Sequence, residues 1–304
     1  MHSLHAAGQA SWQLLTSDHR IATTLFALLV LFIDIVCRRR LWWPEQAIRS
    51  CIANLGLMLS NNYVGQIAIF MMIWAQASYD HFGFPHLDSA IWAHLPVWLM
   101  VLIAILAMDF CDYWNHRLLH CKWLWPIHSI HHSDPHVTVL TTARVHVLES
   151  FVMKLSYILL LGWLGFPPGV LGGAGALLLV HNMYTHIHID WSHGPLRYLL
   201  ASPRFHRWHH ANAPEAFNKN LANVFPFYDL AFGTYYVPGP CHAETGADGV
   251  PTHNVMGLIA WPFVRWAQML APMIPKRSAL WLRCQARSRL LRNVLRRAGS
   301  PHES

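Results

Sequence analysis

The chain has 304 residues, of which 54% are hydrophobic and only 12% charged, with a formal net charge of +7 and a mean hydropathy of +0.26. Soluble domains carry about 25% charged residues, so this composition argues against a freely soluble globule. Six cysteines at positions 37, 51, 111, 121, 241 and 284 show neither a paired metal spacing nor a disulfide framework, which fits a reducing compartment.

Apolar runs of near-spanning length carry the hydropathy. Ile21 to Cys37 is apolar except for Thr23, Thr24 and Asp34, and Arg38-Arg39-Arg40 follows it in place of a small-residue cleavage site, so it does not read as a secretory signal. Cys51 to Ala77 is a second run, interrupted by Ser60, Asn61 and Asn62, and Ile91 to Met108 is a third. Phe151 to Gly165 and Gly169 to Tyr184 flank a turn at Phe166-Pro167-Pro168. Each arm of that pair spans about 22 to 24 Å, short of a hydrocarbon core of about 30 Å. A helical hairpin that crosses obliquely, or dips in and returns, is expected. Gly172-Gly173-Ala174-Gly175-Ala176 lies inside it and reads as small-residue helix packing, since no strand precedes it as a dinucleotide-binding turn requires.

Basic residues near helix ends set orientation. Arg38, Arg39, Arg40 and Arg49 place the loop after the first run in the cytoplasm and the amino terminus outside. Ser78 to Ala90, with Asp80 and Asp88 but no Lys or Arg, is then an outer loop. The third run returns to the cytoplasm just before His116, and the hairpin goes out and back. Near the end, Lys276, Arg277, Arg283, Arg287, Arg289, Arg292, Arg296 and Arg297 alternate with Leu280, Trp281, Leu290 and Leu291. A basic amphipathic helix beside spans is expected to lie on anionic headgroups rather than to bind nucleic acid. The expected fold is all-α: an integral-membrane, multi-pass helical bundle with a cytoplasmic helical cap. Residues 1–108 form an amino-terminal transmembrane region, 109–240 a central histidine-bearing domain with a membrane hairpin at 151–187, and 241–304 a carboxy-terminal region.

Fourteen of the 23 histidines fall between His116 and His210. Eight make three clusters: His116-x-x-x-His120, His128-x-x-His131-His132 and His206-x-x-His209-His210. Residues three and four apart share a helix face, so each cluster reads as one turn pointing two or three imidazoles the same way. Eight imidazoles exceed what one tetrahedral metal needs and suit a pair of first-row metal ions.

Asp109-Phe110-x-Asp112-Tyr113-Trp114-x-His116-Arg117-x-x-His120, Trp125-x-x-His128-x-x-His131-His132-Ser133, Arg144-x-His146-x-x-Glu149, His206-Arg207-Trp208-His209-His210 and Asp229-x-x-Phe232-Gly233-Thr234-Tyr235 together resemble the fatty acid hydroxylase/sterol desaturase superfamily. The likeness runs from about Asp109 to Tyr236. It implies a membrane-embedded, oxygen-dependent oxidoreductase with a non-haem centre of two iron ions, for which zinc can substitute on purification. By that resemblance the eight cluster histidines are ligands, His186 ranks first as a ninth, and His181 and His188 are weaker candidates for a tenth. His136, His146 and His193 are assigned supporting or surface roles. Val147, Tyr228, Leu230 and the run Asn218-Lys219-Asn220-Leu221-Ala222-Asn223 depart from the family's pattern, in loops expected to line the mouth of the site.

Ligating histidines need partners for their free ring N–H. Asp109, Asp112, Glu149 and Asp229 are the carboxylates near enough in sequence. Asp112, one turn before His116, is the leading candidate. With Glu149 and Arg144 it forms the candidate catalytic set, Arg144 and His146 meeting a lipid headgroup or helping to orient the rings. Trp114, Trp123, Trp125, Trp191 and Trp208 read as an interfacial belt. The expected substrate is a lipid (fatty-acyl, sterol-like or a lipid headgroup) and the expected co-substrate O2. Lacking a flavin, haem or iron–sulfur module, the chain needs an external electron donor, a ferredoxin or cytochrome with its reductase. A desaturase with the same centre is the nearest alternative. A membrane metal-binding or transport protein, and an inert two-zinc relic of the same fold, are the others. Transport predicts ionisable residues throughout the spans, and Asp34 is the only acidic residue inside the first three runs.

Overall fold

The structure, a computed structural model, describes residues 45–273 together with Leu29 and Ser288. The first apolar run, the triple arginine and most of the basic carboxy-terminal segment lie outside the described residues. Within them the chain is helical, with no strand and one isolated bridge between Ala211 and Thr245. The main helices are α1 (Glu45–His81), α2 (Val97–Leu119), α3 (Trp125–His132), α4 (Val147–Leu164), α5 (Pro168–Thr185), α6 (Pro203–His209), α7 (Phe227–Ala231) and α8 (Val255–Leu270).

Helix α1 absorbs the whole second apolar run. The polar break at Ser60-Asn61-Asn62 does not end it, because Asn61 turns its amide to Val145 O at 2.5 Å. The third run starts later as a helix than its hydropathy suggests. Ser89–His94 forms a 3-10 turn capped by Asp88, and Pro96 caps α2, since a proline has no N–H to give to a preceding turn. α2 then runs past Met108 to deliver His116.

The hairpin forms where expected. α4 ends at Gly165, whose φ of 62° is left-handed, and Pro168 starts α5. A Cβ at Gly165 would sit 2.9 Å from Leu87 O, so both the backbone angle and the close approach require glycine. Met100, Ala104 and Met108 of α2 pack against Leu161, Phe166, Val170, Ala174 and Leu178, with Trp92 stacked on Phe166 at 4.2 Å. Of the helices, α2 and α4 are long and apolar enough to cross a membrane, and only 18% of the apolar window of α4 is buried inside the protein. Leu155, Leu159 and Trp163 make an exposed stripe along it at four-residue spacing. Such a stripe demands an apolar surrounding or partner.

The short helix α3 is held from two sides. Its Ile130 is fully buried among Ala53 and Leu57 of α1 and Leu258 of α8, and Trp261 Nε1 donates to Ser129 Oγ at 3.1 Å. α6 packs on α5 and starts at Pro203, with Ser202 Oγ accepting from Phe205 N at 3.1 Å. These contacts bring the ends of α2, α3, α5 and α6 to one place.

Candidate metal centre

His116 lies in the last turn of α2 and His120 closes that helix, His128, His131 and His132 belong to α3, His186 closes α5, and His206, His209 and His210 end α6. Nine imidazoles thereby converge in two groups. His116, His120, His128, His132 and His209 form one; His131, His186, His206 and His210 form the other. Within each group the available ligand atoms all lie within 4.8 Å of one another.

The two H-x-x-H-H turns do not point all their rings one way. His128 and His132 face the five-membered group while His131 faces the four-membered one. In α6 the assignment is reversed, with His206 and His210 in the group of four and His209 in the group of five. The helical angle explains the split. At about 100° per residue, position i+4 lies about 40° to one side of i and position i+3 about 60° to the other. One turn therefore serves two centres, and two facing turns exchange their odd member.

Backbone carbonyls fix the protonation of three rings. His116 Nδ1 donates to Leu221 O at 2.8 Å, His209 Nδ1 to Lys219 O at 2.8 Å and His186 Nδ1 to Asn182 O at 2.7 Å. A carbonyl only accepts, so each Nδ1 carries the hydrogen and each Nε2 presents a lone pair. His128 Nδ1 likewise bonds Glu149 Oε1 at 2.9 Å, leaving its Nε2 only 3.0 Å from His116 Nε2. Two lone pairs at that separation repel unless a cation lies between them. The Nε2 atoms of His120, His132 and His209 are buried with no hydrogen-bond partner at all. Burial, and after it the neighbouring imidazoles, holds His120, His128, His131, His132, His206, His209 and His210 far below the ordinary histidine range, and burial brings His186 to about 4. All are neutral near pH 7, the form in which imidazole ligates. The donor set therefore fits a pair of first-row metal ions.

Of the three candidate catalytic residues, Glu149 alone puts its side chain on a histidine ring. Asp112 accepts from Tyr157 Oη at 2.6 Å instead, because the Nδ1 of His116 is already taken by Leu221 O. Arg144 is fully buried and meets no headgroup. Its guanidinium donates to Ile130 O, Ser133 Oγ, Asn54 Oδ1 and Thr252 O at 2.6 to 3.2 Å, tying the end of α3 to α1 and to the segment before α8. Asp109 and Asp229 are fully buried too. Asp109 accepts from the N–H groups of Asn223, Val224 and Phe225, and Asp229 from those of Leu221 and Ala222 and from Thr234 Oγ1. Both carboxylates thus hold the loop whose carbonyls orient His116 and His209.

The extra histidines separate. His186 joins a group. His181 lies on α5 beside Tyr184, outside both groups, His188 takes a hydrogen bond from Arg207 at 2.6 Å, and the His193 ring bonds Tyr184 Oη. His146 caps α4 through its Nδ1 and donates to Ile259 O, and the main-chain N–H of His136 bonds Asp134 Oδ1. Sequence reading missed Asp134, fully buried directly after the second cluster, where it receives bonds from Ser50, Asn54 and Thr141. Its place beside His132-Ser133 was the available signal. Asn220, expected at the mouth of the site, is instead fully buried, held at a left-handed φ of 57° and bonded to Phe205 O and Tyr236 O. The departures from the family pattern divide: Asn218 lines a cavity, whereas Leu221 and Ala222 are buried in the loop's own support.

That cavity, of about 510 Å³, has His120, His132 and His209 among its lining residues, with Trp125, Phe217 and Met269 as apolar walls. Lys122 and Arg265, both exposed, also line it.

Comparison with known proteins bears on the same residues. The chain is 31% identical over 173 residues to ornithine lipid hydroxylase OlsE of Rhizobium tropici, a match covering 56% of this chain and 52% of that protein. It is 30% identical over 171 residues to alkylglycerol monooxygenase of Danio rerio, covering 56% and 35%. It is 30% identical over 161 residues to very-long-chain aldehyde decarbonylase GL1-7 of Oryza sativa subsp. japonica, covering 46% and 24%. The chain thus spans about half or less of the length of these relatives. No solved structure matches it significantly. Residues 101–234, which hold all nine convergent histidines, match the fatty acid hydroxylase family. The likeness read from the histidine clusters is borne out: residues 101–234 match the family model for fatty acid hydroxylases.

Proposed function

We propose that the protein is a membrane-bound, oxygen-dependent oxygenase that hydroxylates a lipid at a centre of two iron ions. The observation that carries this reading is the nine-histidine arrangement, in which His116, fixed by a carbonyl, and His128, fixed by Glu149, aim lone pairs at one another across 3.0 Å. His116, His120, His128, His132 and His209 would hold one ion and His131, His186, His206 and His210 the other. When bound, the iron pair supplies activation of O2 with electrons from an external ferredoxin- or cytochrome-type donor. The residues keep the rings neutral and oriented: Glu149 and the carbonyls of Leu221, Lys219 and Asn182 hold the Nδ1 protons, and the buried site keeps water from the reacting carbon. Two of the three relatives described above carry lipid hydroxylation or monooxygenation in their names, and the third a different lipid reaction.

The exposed apolar stripe of α4 and the length of α2 support a membrane setting. In this reading residues 1–108 form the amino-terminal membrane region and 109–240 the catalytic domain. The histidine clusters form a cap on the cytoplasmic side. Metal analysis of the purified full chain tests the centre. About two ions per chain are expected, with loss of metal when His131 or His209 becomes alanine. Two retained ions and full turnover in both variants would overturn it. Product mass separates hydroxylation, a gain of one oxygen, from desaturation, a loss of two hydrogens.

A further inference from the structure

The cavity over the five-histidine group has a composition that restricts what it can hold. Its floor is made by the rings of His120, His132 and His209, whose Nε2 atoms have no hydrogen-bond partner. Its walls are apolar at Trp125, Phe217 and Met269, and its volume of about 510 Å³ falls in the range of small-ligand sites, about 300–1,000 Å³. Two exposed cations, Lys122 and Arg265, form its rim with one exposed carboxylate, Asp248, which accepts from Asn212 Nδ2 at 3.0 Å. Arg265 spends one nitrogen on Gln268 at 3.0 Å and stacks over Trp261, leaving further N–H groups for a ligand.

The rim's position in the fold says where the rest of the ligand lies. Lys122 follows the carboxy-terminal end of α2, a helix apolar enough to span a bilayer, so it sits at the depth where a span gives way to headgroups. Trp266 Nε1 of α8 donates to Trp123 O in the same turn at 2.8 Å, and α8 leaves Phe263 and Leu270 exposed. Tryptophan and exposed apolar side chains beside cations are the composition of a headgroup-level surface.

We propose that this cavity is the substrate site and takes an amphiphile with an anionic headgroup, Lys122 and Arg265 holding the anion at the rim. The carbons next to the headgroup then lie over His120, His132 and His209, and the remaining chain lies along α8 in the bilayer. This rests on the oxygenase reading for its consequence, oxidation close to the headgroup rather than at the chain end. The binding itself does not depend on turnover.

The test measures equilibrium binding to the full chain, loaded with zinc and reconstituted in discs of zwitterionic lipid, so that no oxygen chemistry occurs. The radiolabelled probes are dodecyl phosphate, dodecanoate and, as the uncharged control, dodecyl maltoside. Dodecyl phosphate should bind at least several-fold tighter than the control. The double variant Lys122→Ala, Arg265→Ala should weaken it about tenfold, as expected for two charge-assisted contacts at a partly exposed site. Binding of the maltoside and the metal content should not change, and the unchanged metal content also reports that the variant is folded. Asp248→Asn should tighten the anionic probes two- to threefold. Dodecanoate binding as well as dodecyl phosphate assigns the site to lipid anions generally; inorganic phosphate displacing either probe at equal concentration would show a free-anion site and overturn the proposal. Equal binding of charged and uncharged probes, or a double variant that changes neither, would also overturn it. If anions bind as stated but iron-loaded protein, supplied with O2 and a ferredoxin- or cytochrome-type electron donor with its reductase, yields no oxygenated product, the oxygenase reading fails while this site stands. Oxygen found only at the far end of the chain would refute the placement of the headgroup.

Discussion

Replacing Arg144 by alanine should cost more than replacing any single histidine, although Arg144 ligates nothing. The side chain is fully buried and makes five hydrogen bonds of 2.6 to 3.2 Å to Ile130, Ser133, Asn54 and Thr252. Its removal leaves Asn54 Oδ1 and Thr252 O without the guanidinium, at about 1–3 kcal/mol for each buried acceptor so stranded. It opens a void the size of the side chain and takes from Asp134 the attraction of a nearby cation. Together these predict a loss of about 4 kcal/mol, in line with breaking a buried charged network. Because Ile130 and Ser133 lie within and just after the turn carrying His128, His131 and His132, the damage should reach both metal groups. Thermal unfolding in detergent, followed with and without added metal, measures the first effect, and metal content after gel filtration the second. Arg144→Lys should recover only part of either, since one ammonium cannot replace a planar fork aimed at four acceptors. An Arg144→Ala protein that unfolds within about 1 kcal/mol of the parent and keeps both ions would refute the account of how this turn is positioned.

His186→Ala should lower metal content toward one ion per chain, whereas His181→Ala and His193→Ala should leave it unchanged, by elemental analysis of purified protein. Glu149→Leu should weaken metal retention about 10- to 100-fold, measured by chelator competition, and Glu149→Gln should retain most of it because an amide oxygen still accepts from His128 Nδ1. Asp109→Asn should destabilise by about 2 kcal/mol, read from unfolding midpoints, because both carboxyl oxygens accept from the N–H groups of Asn223, Val224 and Phe225, and an amide turns one of those oxygens into a donor. For topology, single cysteines at the exposed positions His86 and Glu215 should label from opposite sides of intact cells, His86→Cys from outside; labelling of Glu215→Cys from outside would reverse the orientation.

The convergence of the histidines was legible because histidine is the one residue type whose spacing reports both helix face and chemistry. Nine of the eleven histidines named as ligands or candidate ligands converge, and His186 does so by ending α5, which frees its ring from the helical angle that separates it from His181. The hairpin was legible from Phe166-Pro167-Pro168 and Gly165. The division of each H-x-x-H-H turn between two groups was not drawn, because sharing a face was read as sharing a target. The ring-orienting partners were hidden for a different reason. Three are backbone carbonyls, of Leu221, Lys219 and Asn182, and a carbonyl has no signature in the sequence. Asp112 was favoured for its one-turn spacing to His116, yet the loop held by Asp109 and Asp229 reaches that ring first. Arg144 was expected to meet a headgroup or to help orient the rings; its four acceptors come from three separate parts of the chain, which no spacing reports.

The most direct test of the central claim supplies the iron-loaded full chain in lipid discs with a reducing partner and isotopically heavy oxygen gas, and follows the lipid by mass spectrometry. The account predicts one heavy oxygen atom in the lipid product, none in the His209→Ala protein, and iron near two per chain in the parent alone. A parent protein that holds two irons, consumes electrons and leaves the lipid without heavy oxygen would contradict it.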